Sequence, residues 1–185
     1  MREIQRRYAS SSDRYAKYAD VERWLKINLP RAQELKLDRS SPKRILDLGC
    51  GAGFFLFLAK QFGHEGIGLD VADFPLSNEL IDLFGIKRVT GRIRAFQPLP
   101  DFGGKFDLIT AFSSAFGRSE DESRGWTVEE WKFFLEDLER HRADRSEVLF
   151  EINSGKDGRY FAPEVQKFFS SRDARVNDER VRFSR

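Results

Sequence analysis

Two acids and three glycines carry the most specific chemical pattern in this sequence. In Arg44-Ile45-Leu46-Asp47-Leu48-Gly49-Cys50-Gly51-Ala52-Gly53-Phe54-Phe55, an apolar run with one embedded acid breaks into alternating glycines, and a second apolar run follows. That order predicts a buried strand, a tight turn and the first turn of a helix. The glycines let backbone approach a ligand with no Cβ in the way, and the helix start leaves unpaired N–H groups facing it. Such a turn suits a nucleotide-type cofactor. A pyrophosphate on a helix N-terminus goes with G-x-G-x-x-G, but here the spacing is G-x-G-x-G and Asp47 stands just before the first glycine. A carboxylate in that place repels a pyrophosphate and suits an ammonium or a sulfonium group. Asp70 closes the apolar run Gly66-Ile67-Gly68-Leu69, at the distance where a Rossmann-like unit puts an acid on ribose hydroxyls. The plain alternatives are a turn or capping role for Asp47 and a strand-end cap for Asp70.

The stretch from Arg44 to Phe55 closely resembles motif I of the class I S-adenosylmethionine (SAM)-dependent methyltransferases, and lesser matches continue to about Asn153. The resemblance implies an α/β fold: a doubly wound, mostly parallel sheet of up to seven strands, with helices on both faces and an N-terminal helical cap. It implies SAM as cofactor, with Asp47, Gly49, Cys50, Gly51, Gly53, Phe54, Asp70, Val71, Ile93 and Ala111 as its binding residues. Asp47 and Asp70 then hold opposite ends of the cofactor, and a Cβ at Gly49 or Gly51 meets ligand before it meets core. The family often has an acid after its third strand that accepts from the adenine amine. Here that stretch is Gly91-Arg92-Ile93, and Arg92 cannot accept that bond.

Elements to position these residues are readable around the motif. Residues 1–40 read as helical, with Val21, Trp24, Leu25 and Leu29 at helical spacing and Pro30 opening a second short helix toward Leu37. The tyrosines between Tyr8 and Tyr18 face either an acceptor or the core. Phe54 to Phe62 reads as a buried helix stopped by Gly63, and Pro75 to Phe84 as a helix stopped by Gly85. Strands are expected near Lys87–Thr90, at Phe106–Phe112 and at Val148–Asn153. Between the last two lies the capping-box helix from Thr127, with Trp131, Phe134, Leu135 and Leu138 on its buried face. The polar stretch from Ser113 to Gly125, holding Arg118, Glu120, Asp121, Glu122 and Arg124, is either a substrate lid or a solvated loop. The tail predicts a helix from Pro163 and a short hairpin, Ala174–Val176 and Arg180–Phe183. We read residues 1–185 as one domain: cap 1–40, core 41–153 and a short C-terminal part 154–185.

The totals limit the chemistry. A charge of +2 from 32 basic and 30 acidic residues gives no global field, which neither demands nor excludes nucleic acid; a small-molecule acceptor is the expectation and a nucleic-acid partner is not. Cys50 is the single cysteine, so no internal disulfide can form and a cytoplasmic location is the expectation. No apolar run approaches a membrane span. The fourth strand ends in Ala111-Phe112-Ser113-Ser114 rather than the Asn/Asp-Pro-Pro-aromatic of enzymes acting on amide or adenine nitrogen. No acids follow it closely as the metal-dependent catechol type requires, and no His or Cys cluster suggests zinc. What remains is a metal-independent methyltransferase acting on oxygen or nitrogen of a small-molecule, sugar or lipid-linked acceptor. The alternatives are an RNA- or protein-modifying methyltransferase, or a non-catalytic SAM- or NAD-binding Rossmann module. His64 and His141 fall in helix-to-strand connections, away from the expected active face. Any general base is then Tyr8, Tyr15 or Glu151, or absent. Arg92, Arg94, Arg118 and Arg124 fall near the active face, as solvated surface or as contacts for an anionic acceptor.

Overall fold

The computed structural model describes residues 2–8, 16–114, 116–117, 125–154, 158 and 160–184. Tyr15 and the charged loop residues Arg118, Glu120, Asp121, Glu122 and Arg124 lie outside the described residues. Seven strands form one sheet: β1 (Arg44–Leu48), β2 (Glu65–Asp70), β3 (Lys87–Thr90), β4 (Phe106–Ser114), β5 (Arg142–Ile152), β6 (Arg175–Asn177) and β7 (Arg180–Ser184). Their order is β3-β2-β1-β4-β5-β7-β6. The first five are parallel, and β7 joins β5 and β6 antiparallel. This is the expected mixed sheet. The final hairpin is complete but short, and β5 begins six residues earlier than its apolar run does.

The helices are α1 (Arg2–Tyr8), α2 (Val21–Glu34), α3 (Phe54–Gln61), α4 (Pro75–Phe84), α5 (Val128–Leu138) and α6 (Pro163–Ser170). Side chains alternate across each strand. Leu46 and Leu48 of β1, Ile109 and Ala111 of β4, and Val148, Phe150 and Ile152 of β5 pack into a core shared with Trp131 and Phe134 of α5 and Val165 and Phe169 of α6. Ile45, Leu108 and Leu149 pack on the opposite face, against Ala32 from α2 and Phe55, Leu56 and Ala59 from α3. By the same alternation Asp47, Thr110 and Glu151 belong to this second face, which makes a polar strip under the cap. α5 starts on a complete capping box between Thr127 and Glu130.

One expectation about an element is overturned. Pro30 does not open a second helix; it lies inside α2, which runs unbroken from Val21 to Glu34. The bond it forfeits would run to the carbonyl of Lys26, and both residues lie on the solvent side, where water can serve that carbonyl. Leu29, placed on the buried stripe, is 37% exposed; Asn28 and Ala32 take the buried positions instead. Residues 91–105, joining β3 to β4, contain no helix. Pro98, Pro100, Gly103 and Gly104 oppose helix there, and Leu99 and Phe102 cover the sheet edge from irregular backbone.

Candidate functional site

Parallel α/β sheets place ligands beyond the C-terminal ends of their strands, where the strand order reverses. Here the reversal falls between β1 and β4, and a cavity of about 780 Å³ opens there. Asp47, Gly49, Cys50, Gly51, Phe54, Asp70, Val71 and Ile93 all line it, so the sheet brings together eight of the residues marked in the sequence. Gly53 and Ala111 are not among the lining residues. Ala111 is fully buried and points to the α5 side of the sheet, as its place in the strand alternation requires.

Asp47 is 2% exposed and accepts a hydrogen bond from Thr110 Oγ1 (2.7 Å), its direct neighbour in the β1–β4 register. Burial pushes its carboxyl up to about 7, although the Thr110 bond and the Arg31 guanidinium pull the other way. A carboxylate so placed gains strongly from a cation. Asp70 accepts from the Gly51 amide (2.6 Å) and from its own neighbour Val71 (2.7 Å), which ties the end of β2 to the glycine turn. Burial raises the Asp70 pKa as well, against those two amides.

The two glycines differ in what a side chain would meet. At Gly51 (φ +55°) a Cβ would point to the Tyr18 hydroxyl at 3.5 Å, across the cavity. At Gly49 (φ +77°) it would meet Ser114 Oγ at 2.7 Å, so at Gly49 a side chain collides with the protein itself, against the expectation that it meets ligand first. Cys50 packs its sulfur over Gly68, where a Cβ would come within 2.4 Å. Burial drives its thiol well above the ordinary range, which holds it in the neutral, weakly nucleophilic form.

Residues of the cap line the cavity, among them Tyr18, one of the tyrosines expected to face either an acceptor or the core. Tyr18 and Trp24 pack with centroids 4.7 Å apart and their rings tilted by 46°, Trp24 stacks on Phe54, and all three line the cavity. Arg31 of α2 also lines it, lying over the Phe112 ring at 4.6 Å and donating to Ser113 Oγ (3.2 Å). Ser113 has positive φ (+53°) at a register shift between β4 and β5, and Asn153 Nδ2 donates to its carbonyl (2.6 Å). The tyrosine-rich stretch, the helical spacing of Trp24 and the motif residue Phe54 were the sequence signals for this wall; none of them pointed to Arg31.

The candidate bases fare differently. The Tyr8 hydroxyl donates to Glu79 on α4 (3.0 Å) and is not a lining residue. Glu151 is held by Arg31 on one oxygen and by Arg180 on the other (2.8 and 3.1 Å). His64 and His141 lie before β2 and β5, at the opposite ends of the strands from the cavity. His64 Nδ1 accepts from the Lys43 amide (3.0 Å), which puts its proton on Nε2, and Nε2 donates to the Leu37 carbonyl (2.8 Å). Among the described residues no group of three or more His, Cys, Asp or Glu could hold a metal ion, and no helix is long and apolar enough to cross a membrane.

No protein-family model matches the chain. Over 116 residues it is 32% identical to a malonyl-[acyl-carrier protein] O-methyltransferase of Legionella pneumophila, covering 59% of this chain and 38% of that protein. The chain therefore spans well under half the length of that relative. In structure it is similar to a TehB-like SAM-dependent methyltransferase from Corynebacterium glutamicum, with a TM-score of 0.60, 15% identity, and 95% of this chain and 100% of that one covered. It is also similar to the SAM-bound amino pentose methyltransferase CalS10 from Micromonospora echinaspora, with a TM-score of 0.52, 21% identity, and 86% and 59% of the two chains covered.

Proposed function

We propose that this chain, which has the fold of the class I SAM-dependent methyltransferases, is itself such an enzyme and methylates oxygen or nitrogen of a small-molecule, sugar or lipid-linked acceptor without a metal. The observation that carries the reading is Asp47: a buried carboxylate with a raised pKa, facing a cavity beside a glycine turn, is built to receive a cation. In this reading Asp47 takes the amino-acid end of the cofactor and Asp70 the ribose hydroxyls, with Gly49, Cys50, Gly51 and Phe54 along its length. Val71 and Ile93 flank the adenine, whose polar edge must be read by backbone, since Arg92 pairs with Asp73 and can only donate. Gly53 and Ala111 support this set through the turn and strand they belong to.

SAM supplies a methyl group on a sulfonium, and transfer to the acceptor leaves the sulfur with the bonding electron pair as a neutral thioether. The chain's own contribution is alignment and exclusion of water. The Tyr18–Trp24–Phe54 wall supplies aromatic faces that suit a cation and shuts solvent from that side. The acceptor's proton leaves to water or to a base at the active face. Cap 1–40, core 41–153 and C-terminal part 154–185 act as one domain in this reading.

Calorimetric titration with S-adenosylhomocysteine (SAH), followed by incubation with methyl-labelled SAM and acceptor pools with and without EDTA, tests it. Micromolar SAH affinity and EDTA-resistant label transfer are expected. NAD binding in place of SAH would overturn the reading, and SAH binding with no transfer to any pool would leave a non-catalytic module.

A further inference from the structure

We propose that the end of the cavity beside Arg31 is a subsite for an anionic group of the methyl acceptor, a carboxylate; this rests on the methyltransferase reading and narrows its substrate class. The cavity divides along the sheet. The residues proposed for the cofactor sit on the ends of β1, β2 and β3, from Asp47 through Asp70 to Ile93. The other end is made by Asn28 and Arg31 of α2 with Phe112, Ser113 and Asn153 after β4 and β5, and Arg31 is the charged side chain among them.

Arg31 is fixed on several sides. It stacks on Phe112, donates from Nη1 to Asn28 Oδ1 (3.2 Å) and from Nη2 to Ser113 Oγ (3.2 Å), and pairs with Glu151. A guanidinium has five N–H donors, so Nε and one hydrogen of Nη1 remain without a partner among the described residues. Its counter-charge is also shared. The other oxygen of Glu151 belongs to Arg180, so two guanidiniums divide one carboxylate that is 9% exposed. The trio holds a surplus positive charge. Glu34 offsets part of it at Arg180 Nη1 (2.8 Å), but from the more exposed end of the network. Asp47 feels Arg31, yet Asp47 is bonded to Thr110 and is the proposed partner of the cofactor's own cation. Charge taken out of water without full compensation is costly. An anion docking on Arg31 offsets that cost by accepting from the Nε–H or from the remaining Nη1 hydrogen, a charge-assisted contact that a carboxylate oxygen can make, since Nη2 is already given to Ser113 and Glu151.

The experiment titrates the SAH-saturated full chain with malonate as the carboxylate probe and malonamide as its neutral counterpart, followed by calorimetry and by NMR shifts. Malonate binding without malonamide binding is expected, and Arg31→Met should weaken malonate by about tenfold or more. Arg31→Lys keeps the charge in the network and serves if the methionine variant unfolds; it should weaken malonate severalfold through loss of the Nε and Nη1 donors. SAH binding with no malonate binding, or equal malonate affinity in the Arg31 variants, would overturn the subsite and leave the methyltransferase reading standing. Loss of SAH affinity in the Arg31 variants, with 5′-methylthioadenosine affinity unchanged, would assign Arg31 to the cofactor's carboxylate and overturn the acceptor assignment. If wild type binds no SAH, both readings fall together.

Discussion

Asp47 is the residue on which the most can be tested. A folded-state pKa raised to about 7 from an ordinary 3.8 means that the folded chain holds a proton the unfolded chain releases. Stability of the unliganded protein therefore falls as pH rises from about 4 through 7. Asp47→Asn, which mimics the protonated acid, should melt above wild type at pH 8 and alongside it near pH 4. The same variant should lose about tenfold or more in SAH affinity, since a charge-assisted contact contributes roughly 1.5–3 kcal/mol. In wild type, affinity should climb between pH 6 and 8 as Asp47 ionises; a flat profile would place the cation elsewhere. Gly51→Ala should keep the fold at a strain cost of about 1–2 kcal/mol and weaken SAH, whereas Gly49→Ala should mainly lower the melting temperature. Asp47, Asp70 and the glycines were legible because their chemistry is local: spacing within one turn fixes what they can do. Arg31 was not, because its meaning depends on Ser113, Glu151 and Arg180, which only the sheet register brings to it.

At the scale of elements, boundaries followed local chemistry wherever a strong cap or breaker stood, as at Thr127, Pro75 and Gly85. They failed where packing overrode it. Pro30 is a strong breaker in sequence, but α2 buries Asn28 and Ala32 on either side of it and continues. Pro30→Ala should restore the missing bond and raise stability by about 1–3 kcal/mol in denaturant melts; an unchanged midpoint would mean that the proline is already compensated. β5 was underestimated because Arg142 to Glu147 lack the apolar run, although Arg142 still pairs with Phe106 of β4. His64 is a joint between elements. It ties Leu37, beyond α2, to Lys43, before β1, and His64→Ala should cost about 1–3 kcal/mol of stability while SAH affinity stays within a few-fold of wild type.

The molecule as a whole joins its beginning to its end. Glu34 and Arg180 meet across 146 residues of sequence, and Arg31 and Glu151 across 120. The fold class was readable from motif I and the strand–helix alternation, because a parallel sheet with crossovers admits few topologies. The cap-to-hairpin tie was not, since no pattern within α2 or β7 names its partner. Arg180→Ala should therefore act at a distance. It should lower stability by leaving Glu151 with a single counter-ion, and it should change malonate affinity on the SAH-loaded protein without altering SAH affinity. An equal loss of both ligands would show instead that the hairpin supports the whole cavity. The same tie has a consequence for biosynthesis. The glycine turn and the first strands can pair while later residues are still being made, but the Arg31 corner needs Arg180, which is translated long after the cap. The Arg31–Glu151–Arg180 network therefore cannot close until the last strand has been made, so this corner is the final part of the cavity wall to be set.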